Sequence, residues 1–257
     1  MKKQVSLWAI TSMVGFLAAC GGGGGGGDDD NGDAIASSLA GGYSAAANNG
    51  TSGNAIVLED GSVWNIGGVE AGGVLLVSSM TQGTIGLSGT NVTSSNLREY
   101  DFESASPLAV NFSGTVASSG VISGSLTASG FNPVSVTLTP TPSTDFNYDT
   151  PASLSAIAGT WTGFFSTGDT GSIAISSGGV VSSVTDFGCS IGGSVTPRPS
   201  GKNVYNVSLT FGPAPCALPN GSAAGIAVIV GSGAQTQLTV GATTADRSLG
   251  AAFFGSR

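Results

Sequence analysis

The chain has 257 residues, a formal net charge of −8 at neutral pH and no histidine. An acidic chain of this kind is not expected to bind nucleic acid, because phosphate recognition needs basic patches. Without histidine, Ser-His-Asp and Cys-His catalysis and histidine metal sites are excluded; since neither a nucleophile elbow nor a Walker loop occurs, we expect no enzyme, no cofactor and no metal.

The N-terminus, residues 1–19, has the pattern of an export signal. Lys2 and Lys3 precede an apolar run at 5–19 that is too short to span a bilayer comfortably and is sized like the apolar region of a signal peptide. The letters LAAC ending at Cys20 resemble the lipobox of bacterial lipoproteins. The resemblance implies cleavage before Cys20 and lipidation of its thiol. An ordinary secretory signal, with Cys20 an incidental thiol, is the alternative.

Residues 20–37 predict a tether. Seven consecutive glycines follow Cys20, and an acidic block follows the glycines. Glycine runs behave as flexible coils and like charges repel one another, so this stretch is expected to hold a folded body away from its anchor. The alternative, a calcium-binding nonapeptide repeat, needs tandem copies, and this chain has one.

The remaining chain contains an internal repeat. The letters LAGGYSA at 39–45 and IAGTWTG at 157–163 are 118 positions apart. The same offset keeps turn glycines and apolar residues in step as far as Val63 and Val181. This agreement predicts two copies of one fold.

Further along, the repeat is predicted to resume at an offset of 101. Three glycines of the first copy then correspond to three of the second: Gly120, Gly124 and Gly130 match Gly221, Gly225 and Gly231. We therefore expect one domain at 38–146 and another at 152–257, with a linker at 147–156. Each domain has an ordinary single-domain size.

Within each copy, apolar and polar residues alternate. Tyr205, Val207, Leu209 and Phe211, for example, share one face of a predicted strand. Only 9% of the chain is charged while 40% is hydrophobic, which indicates β-structure with a core rather than disorder. About eight short strands per copy, joined by short turns, predict an all-β protein of two tandem antiparallel up-and-down barrels, with a sandwich as the alternative.

The second copy opens on Gly159-Thr160-Trp161, which resembles the G-x-W signature of lipocalins and related calycin barrels. The resemblance implies that Trp161 plugs the closed end of the barrel and that a late arginine, Arg247, covers it. Tyr43 stands at the tryptophan position in the first copy, where no equivalent arginine is apparent. The alternative reading makes Trp161 an ordinary core residue.

Cysteine usage agrees with export. After Cys20 the chain has two cysteines, Cys189 and Cys216, and an even pair in an oxidising compartment predicts a disulfide. Two free thiols or a metal site are the alternatives.

One group of carboxylates could carry chemistry. Glu99, Asp101 and Glu103 alternate along a predicted strand beside Arg98. Acid–base catalysis or cation binding would use such spacing, but a solvated strand face is the expected role.

These features predict a non-catalytic binding module, anchored to the bacterial envelope at the outer membrane through lipid on Cys20. Two barrels behind a lipidated cysteine resemble the architecture of Gram-negative surface lipoproteins such as factor H-binding protein and the lobes of transferrin-binding protein B. That resemblance has no motif and implies no binding residue. We expect a macromolecular partner first. The alternatives are a lipocalin-like carrier of a small apolar ligand and a structural envelope component, with a carboxylate hydrolase last.

Overall fold

The computed structural model describes residues 38–71, 74–104, 106–231 and 236–257. Within these residues the chain forms 17 β-strands and one short helix, α1 (Leu154–Ile157). The predicted signal peptide, Cys20 and the predicted tether lie outside the described residues.

The first barrel, barrel 1, is built from the N-terminal strands. They are β1 (Gly41–Ala47), β2 (Ser52–Val57), β3 (Ser62–Ala71), β4 (Val74–Thr84), β5 (Gly86–Ser88), β6 (Asn91–Asp101), β7 (Leu108–Val116), β8 (Ile122–Thr127) and β9 (Val134–Pro140). Every pairing is antiparallel, and β9 pairs with β1. The short β5 pairs with the start of β6 and β4 pairs with its end, which closes a ring of eight strands.

The second barrel, barrel 2, follows α1. Its strands are β10 (Gly159–Phe165), β11 (Thr170–Ile175), β12 (Val180–Thr185), β13 (Ser190–Pro197), β14 (Tyr205–Phe211), β15 (Ser222–Val230), β16 (Gln237–Thr243) and β17 (Gly250–Ser256). Each strand pairs with the next, and β17 pairs with β10. The predicted up-and-down barrels are therefore confirmed, and the sandwich alternative is not found.

Closure suits the composition of these strands. A closed barrel has no edge strand, so every strand is hydrogen-bonded on both sides. Charged side chains that would otherwise protect an exposed edge from pairing with other chains are then not needed. Inward residues of β14, such as Tyr205, Val207 and Leu209, are buried as the alternation predicted. Each barrel thus has an apolar core of its own.

The strand order corrects one part of the predicted repeat. Strands β1, β2 and β3 start at residues 41, 52 and 62, and β10, β11 and β12 start at residues 159, 170 and 180, so the offset of 118 is confirmed there. The offset of 101 is wrong. It equates Gly124 on β8, the seventh strand of the barrel 1 ring, with Gly225 on β15, the sixth strand of barrel 2. Glycine recurs at many turns, so a chance register of glycines imitated the repeat.

The two barrels share a third apolar cluster, the interface cluster, formed by outward side chains. Its buried members are Ile56, Leu58, Trp64, Ile66, Met80, Tyr100, Phe146, Tyr148, Val204, Ile226, Val228 and Ala252. Glycines of barrel 2 allow the close approach: a Cβ at Gly250 would lie 2.8 Å from the Met80 methyl group and 2.8 Å from the Tyr100 ring. The stretch predicted as a linker is packed here through Tyr148, which is 7% exposed. The barrels therefore form one compact unit.

A polar contact borders the interface cluster. The Arg198 guanidinium of barrel 2 lies 2.7 Å from Glu59 Oε1 and 2.8 Å from Asp60 Oδ2 of barrel 1. The Tyr148 hydroxyl donates to Glu59 Oε2 at 2.5 Å. Burial acts to raise the pKa of Glu59, but the hydrogen bonds from Tyr148 and Arg198 outweigh it and lower the pKa to about 2.

Candidate functional site

The lower end of each barrel, where β1 or β10 begins, is closed by an aromatic residue: Trp161, as the calycin resemblance implies, and Tyr43 at the matching position of barrel 1. The Tyr43 hydroxyl donates to the Leu39 carbonyl at 2.7 Å, and the Trp161 indole N–H donates to the Ile157 carbonyl at 2.9 Å. Both acceptors lie four residues before the ring. Tyr43 is 7% exposed and Trp161 is fully buried, so each ring plugs its barrel and satisfies its own polar atom.

The prediction that Arg247 covers Trp161 is wrong, because another arginine lies there. The Arg257 guanidinium lies 4.3 Å from the Trp161 ring centroid. Arg247 instead donates from Nη2 to the carbonyls of Gln82 and Asn96 in barrel 1, at 2.7 and 2.9 Å. Strand β17 runs toward the lower end, so the residue after it reaches Trp161, while the loop before it lies at the upper end.

The upper half of the barrel 1 lumen contains a polar row, Asn65, Thr81 and Glu99. These three residues are direct cross-strand partners on β3, β4 and β6. Thr81 is 6% exposed, and its hydroxyl donates to Glu99 Oε2. Asn65 Oδ1 is buried and accepts no hydrogen bond. The row therefore brings a carboxylate to the cavity wall.

Glu99 corrects the expectation of a solvated strand face. The pairing of β6 with β7 shifts between Ser94 and Leu97, which marks a β-bulge. Before the shift Val92 faces the barrel 1 core, and after it Leu97 does. Glu99 shares the Leu97 face because side chains alternate, whereas Tyr100 faces the interface cluster. The bulge thus turns Glu99 into the lumen.

The other two predicted carboxylates are not in this row. Asp101 ends β6 and is exposed, and Glu103 lies beyond the strand. The Glu103 N–H donates to Asp101 Oδ1 at 3.1 Å, so these residues form a turn. Asp101 and Glu103 are thus exposed to solvent, whereas Glu99 lines the cavity of barrel 1.

Barrel 2 has apolar residues at two of the three equivalent places. Equivalent places are those reached by following directly paired residues from strand to strand, starting at Tyr43 in barrel 1 and at Trp161 in barrel 2. The residues of barrel 2 that correspond to Asn65, Thr81 and Glu99 are Ser183, Ile191 and Phe211. The same register sets the pair Phe165–Phe253 of barrel 2 against Ala47–Val136 of barrel 1. The Phe165 and Phe253 rings are in contact, with centroids 4.9 Å apart.

These substitutions set the size of the two lumens. Barrel 1 encloses a cavity of about 450 Å³ that opens at the upper end, between the loops after β1 and β8. Its lining combines the polar row and further neutral polar side chains with alanine, leucine and valine side chains and with Phe131, which is 66% exposed. Barrel 2 has a cavity of about 90 Å³, and Phe165, Phe211 and Phe253 are among its lining residues. An eight-stranded barrel is just wide enough for its side chains to fill it, so three phenylalanines decide the difference.

The upper end of barrel 2 is stapled by the predicted disulfide. Cys189 and Cys216 are bonded, which confirms the pairing, and they join the loops after β12 and β14. Asp169, 3% exposed, lies at the same end and accepts from the Phe187 N–H at 3.0 Å. Barrel 2 thus has cross-linked loops at the end where the cavity of barrel 1 opens.

Comparison with known proteins assigns no family: neither a protein-family model nor a curated protein matches the sequence significantly. No helix in the described part of the chain is long and apolar enough to cross a membrane. Among the same residues, no three Asp, Glu or Cys side chains come together as a metal site would require.

Proposed function

We propose that this protein is a non-catalytic binding protein and that the lumen of barrel 1 holds a small ligand. The cavity of about 450 Å³ carries the proposal, because pockets for small molecules span roughly 300–1,000 Å³. The lining supports the same reading, since it combines apolar side chains with polar groups that can fix the orientation of a ligand. The geometry therefore favours the small-ligand alternative over the macromolecular partner that the sequence placed first.

A binding role fits the chemistry of the lumen better than catalysis does. Glu99 is the only carboxylate that lines this cavity in the described structure. Hydrolysis by carboxylates generally uses a pair, one acting as acid and the other as base or nucleophile. A single carboxylate beside Thr81 and Asn65 is suited to recognising a ligand.

The test is binding of N-phenyl-1-naphthylamine, a neutral probe whose fluorescence rises in apolar surroundings. We expect saturable binding that Ala47→Phe abolishes, because phenylalanine holds the equivalent place in barrel 2 and would fill the cavity. Ser44→Phe is the matched control, since Ser44 is exposed on the outer face of β1. Absence of saturable binding, or equal binding by folded Ala47→Phe, would refute a ligand lumen.

A macromolecular partner is the second candidate. Val180, Val184 and Phe187 of barrel 2 are 60%, 65% and 72% exposed, and all three lie on β12 or in the loop after it. Since exposed apolar patches mark interaction sites, we take these side chains as the candidate contact. A photo-crosslinker at Ser182, between the two valines, should give one discrete adduct on intact cells. Val184→Ser with Phe187→Ser should abolish that adduct. An adduct that forms equally well in the double variant would show that these side chains do not contact the partner.

We place the protein in the bacterial envelope, anchored through lipid on Cys20. The export pattern and the LAAC sequence support this placement. Cys20→Ser should move the protein out of the membrane fraction, and unchanged fractionation would refute the anchor. Protease added to intact cells, with a periplasmic control protein, then distinguishes the two faces: cleavage means that the barrels face outward, and protection means that they face the periplasm.

A further inference from the structure

The polar row of barrel 1 has an imbalance of hydrogen-bonding groups. Glu99 Oε2 accepts from the Thr81 hydroxyl, and no other hydrogen bond or ion pair reaches the carboxylate within the described residues. Asn65 Oδ1, on the other side of Thr81, is buried and accepts nothing. A buried acceptor such as Asn65 Oδ1 costs free energy while no donor reaches it, and the half-buried Glu99 carboxylate keeps acceptor capacity toward the lumen.

No lysine or arginine among the described residues supplies that donor. The residues that line the cavity include neither lysine nor arginine. Arg98 is next to Glu99 in sequence but occupies the opposite face of β6, because side chains alternate along a strand. The remaining cavity wall combines neutral polar side chains with an aliphatic part that includes Leu108, Val110 and Val136.

We propose that the ligand of barrel 1 is a small organic amine with an apolar body, bound as the ammonium ion. The ammonium group donates to the Glu99 carboxylate. The apolar body lies against the aliphatic wall, and Phe131 presents an aromatic ring at the mouth. This inference rests on the proposed ligand lumen and adds the chemical class of its occupant.

The charge of the whole chain acts in the same direction. At −8, the formal net charge attracts cations toward the protein and disfavours carboxylate ligands. Barrel 2 lacks the recognition element, since Phe211 holds the position of Glu99. Amine selectivity is therefore expected of barrel 1.

The experiment measures displacement of N-phenyl-1-naphthylamine at neutral pH by octylamine, octan-1-ol and octanoate. These probes share an eight-carbon chain and differ in charge. For the unmodified protein, octylamine should displace the probe at a concentration at least tenfold lower than octan-1-ol, and octanoate should be the weakest. An ion pair in an enclosed, partly apolar site is stronger than a neutral hydrogen bond, which is the reason for this order.

Glu99→Gln keeps the shape of the side chain and should make octylamine and octan-1-ol equally effective. Glu99→Asp should keep part of the preference, which separates the charge from the fold. Glu103→Gln is the control, because it removes one carboxyl group in the exposed turn after β6. It should leave the preference for octylamine over octan-1-ol unchanged. Circular dichroism would verify that each variant is folded.

The outcomes separate the two proposals. If the naphthylamine binds in the lumen but octylamine and octan-1-ol compete equally, or if Glu99→Gln keeps the amine preference, the amine inference is wrong and the ligand lumen stands. If the naphthylamine does not bind saturably, or binds folded Ala47→Phe as well as the unmodified protein, the ligand lumen itself is wrong.

Discussion

Barrel 1 and barrel 2 have the same strand order and the same aromatic plug, yet they enclose different spaces. Barrel 2 fills its lumen with Phe165, Phe211 and Phe253, and a disulfide ties its upper loops. Barrel 1 has smaller or charged residues at those places, and its lumen stays open. A duplicated barrel can thus divide its roles: one copy has a well-filled core while the other keeps room for a ligand, at the cost of packing.

The largest expected effect concerns the plugs. Trp161→Ala should lower the free energy of unfolding by about 3–5 kcal/mol, because it leaves a cavity at the lower end of barrel 2. Tyr43→Ala, the matched change in barrel 1, should cost less for two reasons. The tyrosine ring is smaller, and among the described residues a cation lies over Trp161, where Arg257 stacks, but not over Tyr43. Urea denaturation followed by circular dichroism measures both. A larger cost for Tyr43→Ala would reverse this ranking of the barrels.

The disulfide comes next. Replacing Cys189 and Cys216 together by serine should destabilise barrel 2 by about 3 kcal/mol, because the unfolded chain loses a cross-link between residues 27 positions apart. The same loss should follow from adding a reductant to the unmodified protein. Naphthylamine binding by barrel 1 should be unchanged under native conditions. Loss of that binding in the folded double variant would mean that the two lumens are not independent.

The contact between the barrels should show a smaller effect. Gly250→Val places a side chain against Met80 and Tyr100 and should cost about 1–3 kcal/mol through overpacking. Gly86→Val is the control, because a Cβ at Gly86 has no neighbour closer than 4.0 Å. Urea unfolding followed at Trp64 and at Trp161 should give one transition for the unmodified protein. Two separate transitions there would show that the barrels unfold independently.

The ion pair between the barrels should give the smallest effect, about 1 kcal/mol at neutral pH. The pKa of Glu59 is lowered from 4.5 to about 2, so its contribution is present above pH 4.5 and is lost as the pH falls toward 2. Thermal unfolding across this pH range should show an acid-dependent loss that Glu59→Gln reduces. Glu103→Gln serves as the control. An identical pH profile for Glu59→Gln and the unmodified protein would contradict this role.

Much of the fold was predictable from local patterns. Alternation along strands such as β14, turn glycines, and the 118-residue offset through Val63 and Val181 indicate two all-β copies before any contact is known. The plug role of Trp161 followed from the resemblance to calycin barrels, the offset set Tyr43 at the same position, and the pair Cys189–Cys216 followed from cysteine number. These features depend on neighbours in sequence or on elimination, so one chain is enough to find them.

The amino-acid sequence by itself determined the strands, because side-chain alternation and glycine turns act locally. It also determined the duplication, the aromatic residues at the barrel ends and the cysteine pair, since these are read from matching positions and residue types. The tertiary structure decided the rest. A bulge in β6 turned Glu99 inward, the direction of β17 brought Arg257 rather than Arg247 to Trp161, and outward side chains joined the barrels. Register and strand direction arise only when strands pair, and a one-residue shift reverses which face of a strand meets the core.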